Sequence, residues 1–455
     1  MAKHRKHRGV SLGTMVMLAM TILVLLGMGS VLPRLYGSDQ AIDQSKMLQA
    51  FDIGDMLPQF SLSEIPIQAS TTTAQPVATP GPMQTQTSVP VAATASPQPT
   101  PTAFAGGKCT IVLGGSVNMS STLRKAGYFS EAEKYDFTDI FSLLMADLQG
   151  DYTMVSLENT IDANTKLSDI NTVEDVLPML SRAGVKGVAL GFKQIYDSGF
   201  SGLTATVEAV QGRGMHALGA YITADAAQPT RRIMTLGGVR VALLHYTDGL
   251  SSKGAKAMKS DGNTFAVAQV SVDSGAAGIL EDVAAVRSAG AQVVIVSLNW
   301  SAEGKTSPTK KQTAFAQQLA DAGVDVIVGT GSRVIQKAEW LTGTLADGST
   351  HQTLCAYSLG SLLNESRTNA NVAGMLLRLT VSVDGQGRVS MDEATYVPTY
   401  IWRYKQDGRY YYRVVASDQP SPDGMGDDQT QSRERALATV QKYLGQDTPL
   451  TLRKK

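Results

Sequence analysis

Residues 293–330 read VVIVSLNWSAEGKTSPTKKQTAFAQQLADAGVDVIVGT, and this stretch decides the fold class. Residues 293–298 are a short apolar run of strand length. Residues 308–322 then repeat apolar positions at spacings of three and four, and Gly323 stands where that helix stops. A second short run follows at 326–328. Strand, helix and strand in that order predict parallel strands joined by a covering helix.

The same alternation runs outward in both directions. Further strands are expected at 110–113, 152–157, 188–190, 231–236, 239–245 and 353–358, and helices at 137–148, 173–183, 202–211 and 276–289. Thr172 with Asp175 reads as a helix start and Ser201 as a cap; Gly184, Gly212 and Gly290 read as stops. Gly237-Gly238 and the turn at 384–387 mark hairpins. The foldable part, 108–383 with an extension at 384–455, is therefore α/β with a large parallel component. Ligand sites in such folds lie just beyond the carboxyl ends of strands.

The chain has 455 residues with Lys+Arg and Asp+Glu balanced at 40 each, so nothing in the charge points to nucleic acid. Its two cysteines, Cys109 and Cys355, are too few for a disulfide scaffold or a thiolate zinc site. They form either one bridge outside the cytoplasm or two buried, unpaired thiols.

Residues 10–32, VSLGTMVMLAMTILVLLGMGSVL, carry no charge and as a helix reach about 34 Å, enough to cross a bilayer core. Lys3, Arg5, Lys6 and Arg8 precede the run, and only Arg34 follows closely. The bias places the tail 1–9 in the cytoplasm and the rest outside, as a single-pass cell-membrane protein. A cleaved signal peptide would have a shorter apolar core. The stalk at 33–107 opens with Ser38, a cap for a short helix towards Phe51. Within it, 68–107 is Thr/Pro-rich and uncharged, so it is expected to be a disordered spacer of up to about 120 Å.

Several segments of the domain, in order, resemble motifs of the CapA family of capsule and poly-γ-glutamate synthesis proteins. LGGSVNM (113–119) stands where that family has a strand ending in Gly-Asp, and SLENTI (156–161) matches its Asn-Leu-Glu segment. LGFKQIYDSG (190–199) takes the place of Ala-Asn-Asn-His-x-x-Asp-x-Gly, and LNWSAEG (298–304) that of His-Trp-Gly-x-Glu. VGTGSRVIQ (328–336) resembles Gly-x-His-Pro-His-x-x-Gln; YSLGS (357–361) and YVPTYIWR (396–403) resemble the closing segments. The resemblance implies a metallophosphatase-like (calcineurin-like) αββα sandwich and a dinuclear metal site.

A two-metal centre needs carboxylates and imidazoles around ions roughly 4 Å apart. At the positions the resemblance assigns to ligands, this chain has Gly115, Lys193, Gln194, Asn299, Gly331 and Arg333; Glu158, Asp197 and Glu303 remain. Of five histidines, only His245 closes an expected strand. No metal and no cofactor is expected, beyond at most one weak ion on Glu158 and Asp197. Lys193 and Arg333 are expected to neutralise Glu158 and Asp197 as a salt-bridge cluster able to hold an anion, with Asn299 and Trp300 beside it. A lone histidine at a strand end is usually structural, and Trp300 and Trp340 read as core or as a platform. Tyr404 to Tyr412 reads as a β-ribbon with cross-strand aromatic packing, and 431–444 as a helix.

Three functions remain open. The first is a pseudoenzyme that binds an anionic envelope polymer and helps its synthesis, export or attachment, alongside other membrane subunits. The second is a hydrolase or ligase of a phosphoester, amide or polyglutamate, with Glu158, Asp197 and Glu303 as acid–base groups. The third is a structural surface protein that contacts only other proteins.

Overall fold

A computed structural model describes residues 106–300 and 303–454. The expected cytoplasmic tail and anchor lie outside the described residues, as does the stalk up to residue 105. Among the described residues no helix is long and apolar enough to cross a membrane.

Two mixed sheets make the domain. In the first, β1 (Gly107–Val117), β2 (Tyr152–Leu157), β3 (Gly187–Ala189) and β4 (His216–Leu218) are parallel neighbours. In the second, β5 (Ile233–Leu236) is hairpin-paired to β6 (Val239–Asp248), which runs parallel to β7 (Val293–Asn299) and β8 (Val326–Thr330). β9 (Ala338–Thr344) closes its other edge through β10 (Thr350–Ala356). The chain then returns to the first sheet. β11 (Ser361–Leu363) lies parallel to the end of β1, and β12 (Ala373–Val383), β13 (Val389–Gln406) and β14 (Arg409–Ala416) extend that sheet antiparallel.

Period-two alternation sorts the second sheet's side chains into two cores. Val241, Leu243, Val293, Ile295, Val326 and Val328 join the core shared with Ile111 and Leu113 of the first sheet. Their neighbours Ala242, Leu244, Val294, Val296 and Ile327 pack instead on helices Ala277–Ser288 and Lys310–Asp321 through Ile279, Val283, Phe315 and Leu319. Helices Val176–Arg182 and Gly199–Gly212 bury Leu177, Leu180, Leu203 and Val207 in the first core. The helix Lys310–Asp321 starts with a full capping box between Thr309 and Gln312.

Some local expectations are revised. Residues 138–148 form successive tight turns instead of a helix, and Ile140 O within them accepts from Val414 N of β14 (2.7 Å). The expected strand 231–236 begins as a 3-10 turn, Pro229–Arg232. Residues from 384 onward are built into the first sheet through β13 and β14, with helix Asp427–Leu444 and the short strand Thr451–Leu452 against β13. Cys109 and Cys355 are both free and buried.

Candidate functional site

The carboxyl ends of β1, β2, β7 and β8 converge, and the loop after β8 closes over them. That loop needs left-handed backbone at Gly331 (φ 97°) and at Arg333 (φ 59°), where a non-glycine residue is uncommon. Ser361 Oγ donates to Arg333 O (3.1 Å), as does Asn371 Nδ2 (3.4 Å), and these bonds hold the unusual conformation.

So held, Arg333 reaches back across the cleft. Its Nε donates to Glu158 Oε2 at 2.8 Å, and its Nη1 to Glu303 Oε1 at 3.2 Å. The Glu158 side chain is 6% exposed against 66% for Glu303, so the cluster runs from a dry carboxylate to a wet one. Glu158 Oε1 is buried and has no hydrogen-bond partner among the described residues. Burial pushes the Glu158 carboxyl above its ordinary value, Arg333 pulls it back, and Glu303 adds to the rise. Burial opposes the charge on Arg333, but the two glutamates outweigh it and hold the guanidinium pKa above normal.

Beneath this pair, Ser361, Ser116 and Ser156 sit side by side in register across β11, β1 and β2. The hydroxyls of Ser116 and Ser156 are buried and unpaired among the described residues, as are Thr330 Oγ1 and Gln336 Oε1. Of these, the sequence singles out only Ser156, as a nucleophile without a positioned histidine. Their trace was the change from apolar to polar residues at each strand's end.

The other expected site residues are placed apart from the cluster. Asp197 accepts a short hydrogen bond from Ser251 Oγ, which caps helix Ser252–Asp261, so it supports a helix start. Lys193 is exposed and makes no ion pair among the described residues; only its carbonyl is engaged, by Ser251 N at 2.7 Å. Lys193 and Asp197 therefore do not belong to the expected salt-bridge cluster. Trp300 is not a wall of the cleft. It is 4% exposed, stacks on Tyr357 (5.7 Å, 9°) and donates Nε1 to Tyr357 O (3.1 Å). Asn299 is 7% exposed at the end of β7, and its side chain makes no hydrogen bond among the described residues. Trp340 stands 44% exposed on the edge strand β9.

His245 is structural. Its Nε2 faces Gly191 O (3.1 Å), which can only accept, so Nδ1 accepts from Ser297 Oγ (2.9 Å). Burial lowers its pKa to about 4 and keeps the ring neutral.

The residues present do not fit a dinuclear metal centre. A Cβ at Gly115 would lie 2.1 Å from Gly360 O, so the position assigned to a ligand aspartate has no room for a side chain. Arg333 occupies Glu158, and Lys193 and Gln194 stand where imidazole would be required. Among the described residues no three His, Cys, Asp or Glu side chains converge. What the cluster offers is a buried, ion-paired carboxylate above a polar recess. A separate cleft of about 800 Å³ opens at the opposite end of the strands, but its polar floor is a closed network of Asp325 with Arg287 (2.6 Å) and His351 (3.4 Å).

Residues 110–366, more than half of the chain, match the family described as bacterial capsule synthesis protein PGA_cap. The PGA biosynthesis protein CapA of Bacillus subtilis is 24% identical over 259 residues, 54% of this chain and 63% of that protein. A protein of Mycobacterium tuberculosis described as a probable polyglutamine synthesis accessory protein is 28% identical over 190 residues, 40% of this chain and 50% of that one. The capsule biosynthesis protein CapA of Bacillus anthracis is 27% identical over 180 residues, 38% of this chain and 40% of that one. The chain thus spans between 40% and 63% of the length of these relatives. Among solved structures, a 5'-nucleotidase precursor of Thermus thermophilus is 14% identical, with 74% of this chain and 59% of that one covered at a TM-score of 0.35. The NAD nucleotidase of Haemophilus influenzae is 13% identical, with 73% and 56% covered at a TM-score of 0.37. Likeness at that level carries no functional argument. On the match over 110–366, the chain belongs to the bacterial capsule synthesis protein PGA_cap family.

Proposed function

We propose that this chain is a membrane-anchored, extracytoplasmic accessory protein in the synthesis of an anionic capsule or envelope polymer of the poly-γ-glutamate type. On this reading its metallophosphatase-like sandwich has lost the dinuclear metal centre and works by binding polymer for export or attachment. Other membrane-bound synthesis or export subunits are its partners. The apolar run at 10–32 supports the anchor, and the names of the relatives support the polymer. The observation that carries the loss of metal chemistry is the Arg333–Glu158 pair, since a guanidinium on the surviving carboxylate excludes a cation from it.

Metal analysis of the purified full chain, dialysed against Mn²⁺, Zn²⁺ and Mg²⁺, tests this together with its retention on immobilised poly-γ-glutamate. Metal near zero with polymer retained is the expected result. Two ions per chain would overturn the pseudoenzyme reading, and no retention would overturn the polymer role and favour a purely structural surface protein.

One observation favours a second reading, a hydrolase or ligase using Glu158 and Glu303, with Asp197 left out by its bond to Ser251. A buried carboxyl with a raised pKa is what a general acid requires. Turnover of a phosphoester, amide or polyglutamate that vanishes in Glu158→Gln would establish it.

A further inference from the structure

The ribbon of β13 and β14 has two unlike faces. Its register pairs Arg403 with Tyr412, Tyr404 with Tyr411 and Lys405 with Tyr410. Side chains alternate along each strand, so Arg403, Lys405, Tyr410 and Tyr412 share one face while Tyr404, Arg409, Tyr411 and Arg413 share the other.

The cations of the second face have partners within the protein, although Arg413 Nε and Trp402 Nε1 are buried without a hydrogen bond among the described residues. Arg409 donates to Ala126 O (3.0 Å) and lies 4.1 Å from the Phe129 ring centre, and Arg413 lies 3.8 Å from Asp139. Tyr404 stacks on Tyr411 at 5.5 Å.

The first face differs. Arg403 and Lys405 stand 4.7 Å and 5.9 Å from the ring centre of Tyr410, which is 47% exposed, and neither cation has an acidic partner among the described residues. Arg367, from the loop after β11, joins them by donating Nη1 to Ile401 O at 3.2 Å. Burial and the nearby charge of Arg403 both press its pKa below the ordinary guanidinium value. Tyr412 is 5% exposed, and its Oη is buried with no hydrogen-bond partner among the described residues. Three like charges gathered without an acidic partner among the described residues make a positive patch that an anionic ligand would complement. Elsewhere the chain has acid enough, since its acidic and basic residues balance at 40 each.

We propose that the face formed by Arg367, Arg403, Lys405, Tyr410 and Tyr412 binds an extended polycarboxylate chain. The cations take successive carboxylates, and the exposed Tyr410 ring supports the methylene segments between them. This deepens the polymer-binding reading above and rests on it. It moves the anion site away from Lys193 and Arg333, to a surface beyond the matched span 110–366. The loop that carries Arg367 also carries Asn371, whose Nδ2 donates to Arg333 O at 3.4 Å.

The test is binding of the full chain, held in mild detergent, to poly-γ-glutamate by calorimetry at low and high salt. The variants are Arg403→Ala with Lys405→Ala, the exposed Lys405→Glu alone, and Lys193→Ala as control. Two lost charge-assisted contacts should weaken binding by about tenfold or more, while Lys193→Ala binds as wild type. Lys405→Glu, which leaves the packed part of the ribbon untouched, should also weaken binding. Wild-type affinity in folded Arg403→Ala with Lys405→Ala would overturn this face as the site while leaving the polymer reading intact. No binding by the wild type at any salt would overturn both.

Discussion

Arg333 places its Nε 2.8 Å from Oε2 of Glu158, a carboxylate whose other oxygen is buried and unpartnered among the described residues. A buried charge is tolerable only while its partner stays in place. The unusual left-handed backbone at Arg333 (φ 59°) is the local cost of keeping it there.

Replacing Arg333 with Met therefore leaves Glu158 dry and alone. The expected loss of stability is about 3 kcal/mol at neutral pH. Its pH dependence follows from the raised pKa of Glu158. A carboxyl raised in the folded state contributes most below its unfolded value and loses that contribution as pH rises through its folded value. Removing Arg333 raises the folded value further, so the penalty grows as pH rises out of the ordinary carboxylate range. Urea unfolding within and above that range measures it. Equal penalties at both ends would mean that Glu158 does not sense Arg333. Adding Glu158→Gln should recover most of the loss.

His245 titrates with the opposite sign. Its folded pKa of about 4 lies below the ordinary 6.5, so stability is complete above 6.5 and falls as pH drops towards 4. The full drop is roughly 3 kcal/mol. Nitrogen-detected NMR of the ring should show a neutral Nε2–H tautomer down to about pH 5. An imidazolium at pH 6 would contradict the role of Nδ1 as acceptor from Ser297 Oγ.

The central strands of the second sheet were legible because they are buried on both faces, which leaves runs such as 293–298 nearly free of polar residues, whereas the half-exposed edge strand β9 was not foreseen. The helices at 202–211 and 308–322 were legible from their spacing, although Ser201, expected as a cap, lies within the helix that starts at Gly199. Residues 137–148 misled because their apolar spacing suits a helix, while the contact of Val414 N on Ile140 O comes from a strand more than 270 residues away. The site was legible only in part. Motif positions drew attention to Glu158, Glu303 and Arg333, which the fold joins. Asp197 and Lys193 looked equivalent to them, but the turn at 193–198 directs Asp197 to Ser251 instead. Which of several strand-end charges meet depends on loop paths that no periodicity encodes.

Trp300 illustrates the same limit. Its place after β7 suggested a ligand platform, yet its ring lies between Tyr357 and Phe315 (6.1 Å) on the helix-covered side of the second sheet. Trp300→Leu should cost about 3–5 kcal/mol in thermal or denaturant unfolding. The protein that remains folded should bind poly-γ-glutamate as wild type does. A selective loss of binding with little change in stability would return Trp300 to the cleft.

Gly115 offers the sharpest test of whether a metal site could be restored by one substitution. Gly115→Asp supplies the carboxylate that the family pattern places at this end of β1. Its Cβ, however, would stand 2.1 Å from Gly360 O and 3.2 Å from Leu359 O, both backbone atoms of the turn before β11. That turn cannot yield by rotating a side chain. Gly360 itself is left-handed (φ 71°) and Leu359 N donates to Gly329 O (3.2 Å), so movement there disturbs the loop after β8 as well. The variant should lose about 3 kcal/mol or more, bind no additional Mn²⁺ or Zn²⁺ after dialysis, and disturb the seat of Arg333. A Gly115→Asp protein of wild-type stability that holds a stoichiometric ion would show that the close approach of Gly360 relaxes at little cost, and that the residues around Glu158 still suffice as a metal cage.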